Sequence, residues 1–114
     1  MRYLLQVYFN DARERLEQLP ETQREAVVAE YVAFFRSPEI RDGNQLQPPV
    51  TATTVRIVDD ETERASGPFS GSGEPLGGYY LVEVSDLDAA VALAERIPAA
   101  RMGGAVEVRP VVDR

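Results

Sequence analysis

The chain contains no cysteine and no histidine, and all 12 of its basic residues are arginine. Thiolate nucleophiles, imidazole bases, Schiff-base lysines and cysteine- or histidine-based zinc sites are therefore excluded by inventory. Only scattered carboxylates remain as strong ligands, so no metal and no cofactor is expected. Long apolar runs are missing too. Nothing approaches the roughly 18 residues that a membrane helix requires, and the apolar start from Met1 to Tyr8 is broken by Gln6, with no signal-peptide cleavage pattern after it. A cytoplasmic protein without a membrane partner is expected. Positive charge is in deficit: the formal net charge is -7 and the isoelectric point is near 4.6. The arginines are scattered rather than massed, which makes DNA and RNA poor partners. A lysine-free sequence rich in arginine, alanine and valine fits a high-GC bacterial genome.

What is present suits one globular domain spanning residues 1–114, of 12.6 kDa, 44% hydrophobic and 27% charged. Tyr3 to Phe9 alternates as a strand, with Tyr3, Leu5, Val7 and Phe9 on one face and Leu4, Gln6 and Tyr8 on the other. Asn10 or Asp11 caps a short helical stretch through Leu16 and Leu19, which Pro20 stops or interrupts. Thr22, Gln23, Arg24 and Glu25 fit a capping box worth about 1 kcal/mol at the cap residue. The helix that follows has the stripe Val27, Tyr31, Phe34 and Phe35, and Pro38 ends it by Ser37.

Ile40 to Pro49 lacks periodicity and reads as a loop. Thr51 to Val58, rich in β-branched residues, is the second strand, and Asp59, Asp60 and Glu61 form a turn rather than a calcium loop. Ala65 to Gly78 holds five glycines and two prolines, as a flexible lobe that packs close to another backbone or as a lid. It has neither a Walker lysine nor a dinucleotide fingerprint. Tyr79 to Val84 is a strand, and Ser85, Asp86, Leu87 and Asp88 start a helix with the stripe Leu87, Val91, Ala94 and Ile97. Ala105 to Val112 is the last strand, placing Val106 and Val108 opposite Glu107 and Arg109.

Leaving aside a short extra strand that the glycine-rich lobe could supply, the order is that of an α+β, ferredoxin-like βαββαβ unit. Helices should cover one sheet face. The other would expose Leu4, Tyr8, Val58, Tyr79 and Leu81, a patch that a homodimer stacking sheet on sheet would bury.

Four segments carry a family resemblance: Met1 to Leu5; Leu46-Gln47-Pro48-Pro49 leading into Thr51 to Arg56; Ser66-Gly67-Pro68-Phe69 followed by Leu76-Gly77-Gly78-Tyr79-Tyr80; and Ile97 to Arg101 running on to Val106 through Pro110. In this order and spacing the chain resembles the YCII-related proteins of the DGPF subgroup. The resemblance implies a dimeric α+β barrel. Ser66 stands where the subgroup's name-giving aspartate would be, and Gly71 and Gly73 replace residues that are commonly charged in relatives. The family's proposed histidine–aspartate acid/base pair has no counterpart in a chain without histidine. The subgroup's frequent encoding beside extracytoplasmic-function sigma factors makes a sigma-factor association one reading.

The candidate pocket follows from the polar strand face expected to line the barrel. Gln6, Arg56, Glu83, Glu107 and Arg109 fall there; Tyr79 serves as a packing group or proton donor, Ser66 sits at the altered motif, and Arg101 binds an anion or pairs with a helix end. Arg109 is expected to keep Glu83 or Glu107 ionised. The expected function is a non-catalytic, dimeric module that binds a small molecule or regulates. The alternatives are a lyase or isomerase using Glu83 or Glu107 as acid/base, and a sigma-factor partner.

Overall fold

The computed structural model describes residues 1–69 and 73–113. Its frame is a four-stranded antiparallel sheet made of β1 (Arg2–Tyr8), β2 (Ile40–Gln45), β5 (Gly78–Glu83) and β6 (Ala105–Pro110), in the order β2-β5-β1-β6. Helices α1 (Ala12–Gln18), α2 (Glu21–Phe35) and α3 (Leu87–Glu95) supply the other layer. This connectivity and strand order are ferredoxin-like. The remaining strands, β3 (Thr53–Val58) and β4 (Glu61–Ser66), form a separate two-stranded hairpin inserted between β2 and β5.

The alternation in β1 decides which face meets the helices. Tyr3, Leu5 and Val7 are buried and pack with Val82 of β5, Phe34 of α2, and Ala90, Leu93 and Ala94 of α3. Pairing of Leu5 with both Tyr80 and Val108 puts those two residues on the same side. No helix among the described residues is long and apolar enough to cross a membrane.

The structure corrects several local expectations. Ile40 to Gln45 is an edge strand rather than a loop. It lacks alternation because one side of it has no neighbour and a bulge shifts its register between Ile40 and Asp42, so pairing with β5 decides its conformation rather than propensity. The second strand of the sheet is therefore β2, and Thr53–Val58 lies outside that sheet, which removes Val58 and Arg56 from its open face. The extra short strand, Glu61–Ser66, starts before the glycine-rich lobe and takes in only its first two residues. Asp59 and Asp60 make the turn, with φ of 51° and 67°. A two-residue hairpin loop with both central residues at positive φ matches the right-handed twist of its strands, and aspartate tolerates that conformation better than most residues. Of the lobe itself, Ser70, Gly71 and Ser72 lie outside the described residues.

In α2 the capping box is not made. The helix starts at Glu21 after Pro20, whose carbonyl accepts from Arg24 N at 2.9 Å, so Thr22 is already inside the first turn. Val27 and Phe34 are buried, whereas Phe35 is half exposed. Asp86 does cap α3, accepting from the Ala89 amide at 2.9 Å. That helix buries Ala90, Leu93 and Ala94, with Ile97 just beyond it, and leaves Leu87 and Val91 outside. Both sets of residues satisfy helical spacing; the alanine-rich one lets the helix approach the sheet more closely.

Gly43 is the position in β2 that the packing most constrains. A Cβ there would lie 2.5 Å from Tyr80 Cδ1 and 3.1 Å from the Tyr79 carbonyl oxygen. The Tyr80 ring lies across the strand and meets Phe34 edge to face at 4.8 Å between centroids. Gly43→Ala is expected to destabilise the fold by about 1–3 kcal/mol through overpacking. A urea denaturation midpoint equal to the parent's would refute that account.

Candidate functional site

The sheet has two faces of different chemistry. On the open one, strand pairing lines up Asn44, Tyr79, Gln6 and Glu107 in one row and Asp42, Leu81, Leu4 and Arg109 in the next, while Arg2 and Glu83 pair farther along. Five of the eight residues singled out from the sequence, Gln6, Tyr79, Glu83, Glu107 and Arg109, thus share this face. Arg109 donates to Glu107 Oε2 at 2.7 Å, along its own strand. Glu83 pairs with the amino terminus of Met1 at 3.2 Å rather than with Arg109. Both ion pairs are well exposed in the single chain, so each is worth less than about 1 kcal/mol there. Asn44 Nδ2 donates to the Tyr79 hydroxyl at 3.2 Å. Gln6 Oε1 is shielded from solvent and has no hydrogen-bond partner among the described residues.

The other three are elsewhere. Arg56 and Ser66 belong to the hairpin, where Arg56 Cζ stands 5.7 Å from the Phe69 ring centroid. Arg101 follows α3 in a short 3-10 helix and donates to Glu30 Oε1, inside α2 rather than at its end, at 2.7 Å in an exposed ion pair.

The concavity that carries most chemistry is on the opposite face, a site the sequence reading did not anticipate. A cavity of about 300 Å³ opens between α1, α2 and the ends of β1, β2 and β5. Val7, Phe9, Leu16 and Val27 give it apolar walls, Tyr31 and Tyr80 bring phenols, and Arg13 brings the one charged side chain among the described lining residues. Asn44 and Gln45 on one strand and Gly78 and Tyr79 on the next form a rim. Val28 and Val32, about half exposed, border the side toward solvent. Gly77 holds the Phe9 wall in place, because a Cβ at Gly77 would collide with the Phe9 ring. The same ring carries the Arg13 guanidinium, with Cζ 4.8 Å from its centroid. A second depression, at the base of the hairpin between Tyr8, Pro48 and Leu76, is wider at about 600 Å³ but offers one charged side chain, Glu74, among its described lining residues.

Burial raises the Tyr80 phenol above its ordinary value of 10.0, and neighbouring Tyr31 pushes it further the same way. Tyr31 is also raised, mainly by burial; its hydrogen bond to the Ala99 backbone and the charge of Arg101 oppose the shift, and Glu30 adds to it. At neutral pH both are uncharged hydroxyls, suited to orienting a ligand rather than to taking a proton from one. Among the described residues no three carboxylates converge in a way that could hold a metal ion. The sequence signals that would have found this site were a tyrosine inside an otherwise aliphatic or phenylalanine stripe and a second tyrosine on the helix-facing side of β5.

A ferredoxin-like α+β layer with a small cavity between helices and sheet defines the class of protein. The whole chain, residues 1–114, matches the YCII-related domain, and the chain belongs to that family. It is also 37% identical over 68 residues to the uncharacterized protein R00369 of Rhizobium meliloti (strain 1021), a match covering 59% of this chain and 55% of the relative. The chain therefore spans just over half of that relative's length in the match.

The raised phenols fix a sign for alkaline stability. A group whose folded value lies above its unfolded one contributes stability that is complete below about pH 10 and is lost as pH rises through the folded value. Tyr31 and Tyr80 are expected to ionise late when their ring signals are followed by NMR, with stability falling from about pH 10 upward. Titration of both rings at the ordinary phenol value would contradict the burial of Tyr31 and Tyr80.

Proposed function

We propose that this YCII-related protein is a non-catalytic module that binds a small molecule in the helix-side cavity. The observation that carries the reading is a mostly apolar cavity of about 300 Å³ with a few convergent polar groups. Its two phenols are pushed away from ionisation, and the sequence has no histidine, cysteine or lysine to supply a base or nucleophile. The carboxylates of an alternative lyase or isomerase, Glu83 and Glu107, lie on the opposite face of the sheet from this cavity. Screening small aromatic and aliphatic compounds by amide and methyl NMR tests the reading. The expected result is fast-exchange shifts confined to Val7, Tyr31, Tyr80 and Met102, with the compound recovered unchanged. A turned-over compound would favour the enzymatic alternative.

The open face is the reason to propose a homodimer, stacked sheet on sheet in an α+β barrel. The row Asp42, Leu81, Leu4, Arg109 has an acid at one sheet edge, a base at the other and leucines between. A twofold axis over the leucines would set each charged edge against its opposite in a second copy, as an isologous interface requires. Leu4→Arg or Leu81→Glu is expected to give a species of 12.6 kDa in sedimentation at micromolar concentration where the parent gives twice that mass. A parent that sediments at 12.6 kDa at every concentration would reject the dimer.

A further inference from the structure

We propose that the helix-side cavity selects small apolar molecules that carry one anionic group, and that Arg13 is the residue that recognises the charge. The inference rests on the cavity being a binding site, as proposed above, and adds the class of ligand. The chain has 19 acidic residues against 12 basic ones, yet no acidic side chain is among the described residues that line the cavity, and Arg13 is. A surface so rich in carboxylates that leaves one cavity with only a guanidinium has made that cavity a local exception to its own field.

The placement of Arg13 adds to the point. Arg101 and Arg109 each hold a carboxylate oxygen at 2.7 Å; Arg13, like the other described arginines, makes no ion pair among the described residues. It is instead stacked near the Phe9 ring, with Cζ 4.8 Å from the centroid. A guanidinium lying over a ring keeps its N–H donors at its edge, where a carboxylate or another planar oxyanion can engage two of them together. Phe9 is itself a cavity wall, so the charged end of a ligand would meet Arg13 while its apolar body lies against Leu16, Val27 and Tyr80. The volume of about 300 Å³ is at the small end for ligand sites, which limits the ligand to a single ring or a short chain.

Benzoate, benzamide and benzylamine are probes of nearly equal shape that differ in charge, and titrating each into the intact protein at fixed ionic strength separates the two claims. Benzoate is expected to bind at least about tenfold more tightly than benzamide, since each factor of ten needs only a modest difference in binding free energy. Benzylamine is expected to be the weakest. In Arg13→Met the benzoate preference should vanish while benzamide still shifts Tyr31 and Tyr80, which also shows that the variant is folded. Arg13→Lys should retain part of the preference. Equal binding of benzoate and benzamide to the parent, or a benzoate preference that survives in Arg13→Met, would overturn the anion assignment and leave the cavity a neutral binding site. If none of the three probes moves the cavity resonances, the binding reading falls and takes this inference with it.

Discussion

The contact between Phe34 and Tyr80 is the one on which the rest of the arrangement depends. Phe34 is almost wholly buried and is the largest of the fully buried side chains among the described residues, and the Tyr80 ring meets it edge to face at 4.8 Å. That pairing fixes α2 against β5. It is possible only because β2 offers Gly43 beneath the Tyr80 ring, so a polar edge strand with little propensity of its own is held by the ring that covers it. The Arg96 guanidinium closes the other side, with Cζ 5.3 Å from the Phe34 centroid, and donates to the Ser37 hydroxyl at 2.9 Å just beyond the end of α2. Helix, sheet edge and the segment after α3 are thereby joined at one aromatic residue.

The same contact shapes the cavity. Tyr80 cannot fill the space beyond it because its ring is committed to Phe34, and Tyr31, one turn earlier on α2, is half-buried with its hydroxyl engaged by the Ala99 backbone. Two large side chains are thus held at the border of a void, and their polar tips survive in a setting that disfavours the charged form. The open face has the opposite character. Its charges are solvated in the single chain and its apolar residues are only partly covered, so its energetics depend on whatever lies against it, whereas the helix side is organised by the chain alone.

The sequence made the frame legible where one periodicity had one explanation. The alternation of β1 identified its buried face at Tyr3, Leu5 and Val7, and the proline and aspartate signals placed the ends of the helices closely. It failed where the deciding partner was remote. Nothing local in Ile40 to Gln45 announces a strand, because Tyr80 and the β5 backbone supply the reason; nothing in α3 distinguishes the Leu87 and Val91 stripe from the Ala90 and Leu93 one without knowing how near the sheet comes. The candidate site divided in the same way. Strand alternation puts Gln6, Glu83, Glu107 and Arg109 on one face and the strand register keeps them there, while Arg56 lies in the hairpin, outside that sheet. The cavity escaped because helix-facing tyrosines read as core, and a void is the one feature of packing that residue pattern does not encode.

The β3–β4 hairpin leaves the four-stranded sheet and returns to it without contributing a strand, so the ferredoxin-like frame is closed with or without it. Its turn is specified locally by two consecutive aspartates in left-handed conformation, and its pairing runs residue for residue from Thr53 and Ser66 to Val58 and Glu61. Lengthening or trimming such an arm by two paired residues on each strand preserves the turn, the alternation of hydrogen-bonded pairs and the side-chain faces, and leaves every register of the main sheet untouched. The reach of this arm can therefore be altered independently of the core, a part of the chain that can be resized without refolding the rest.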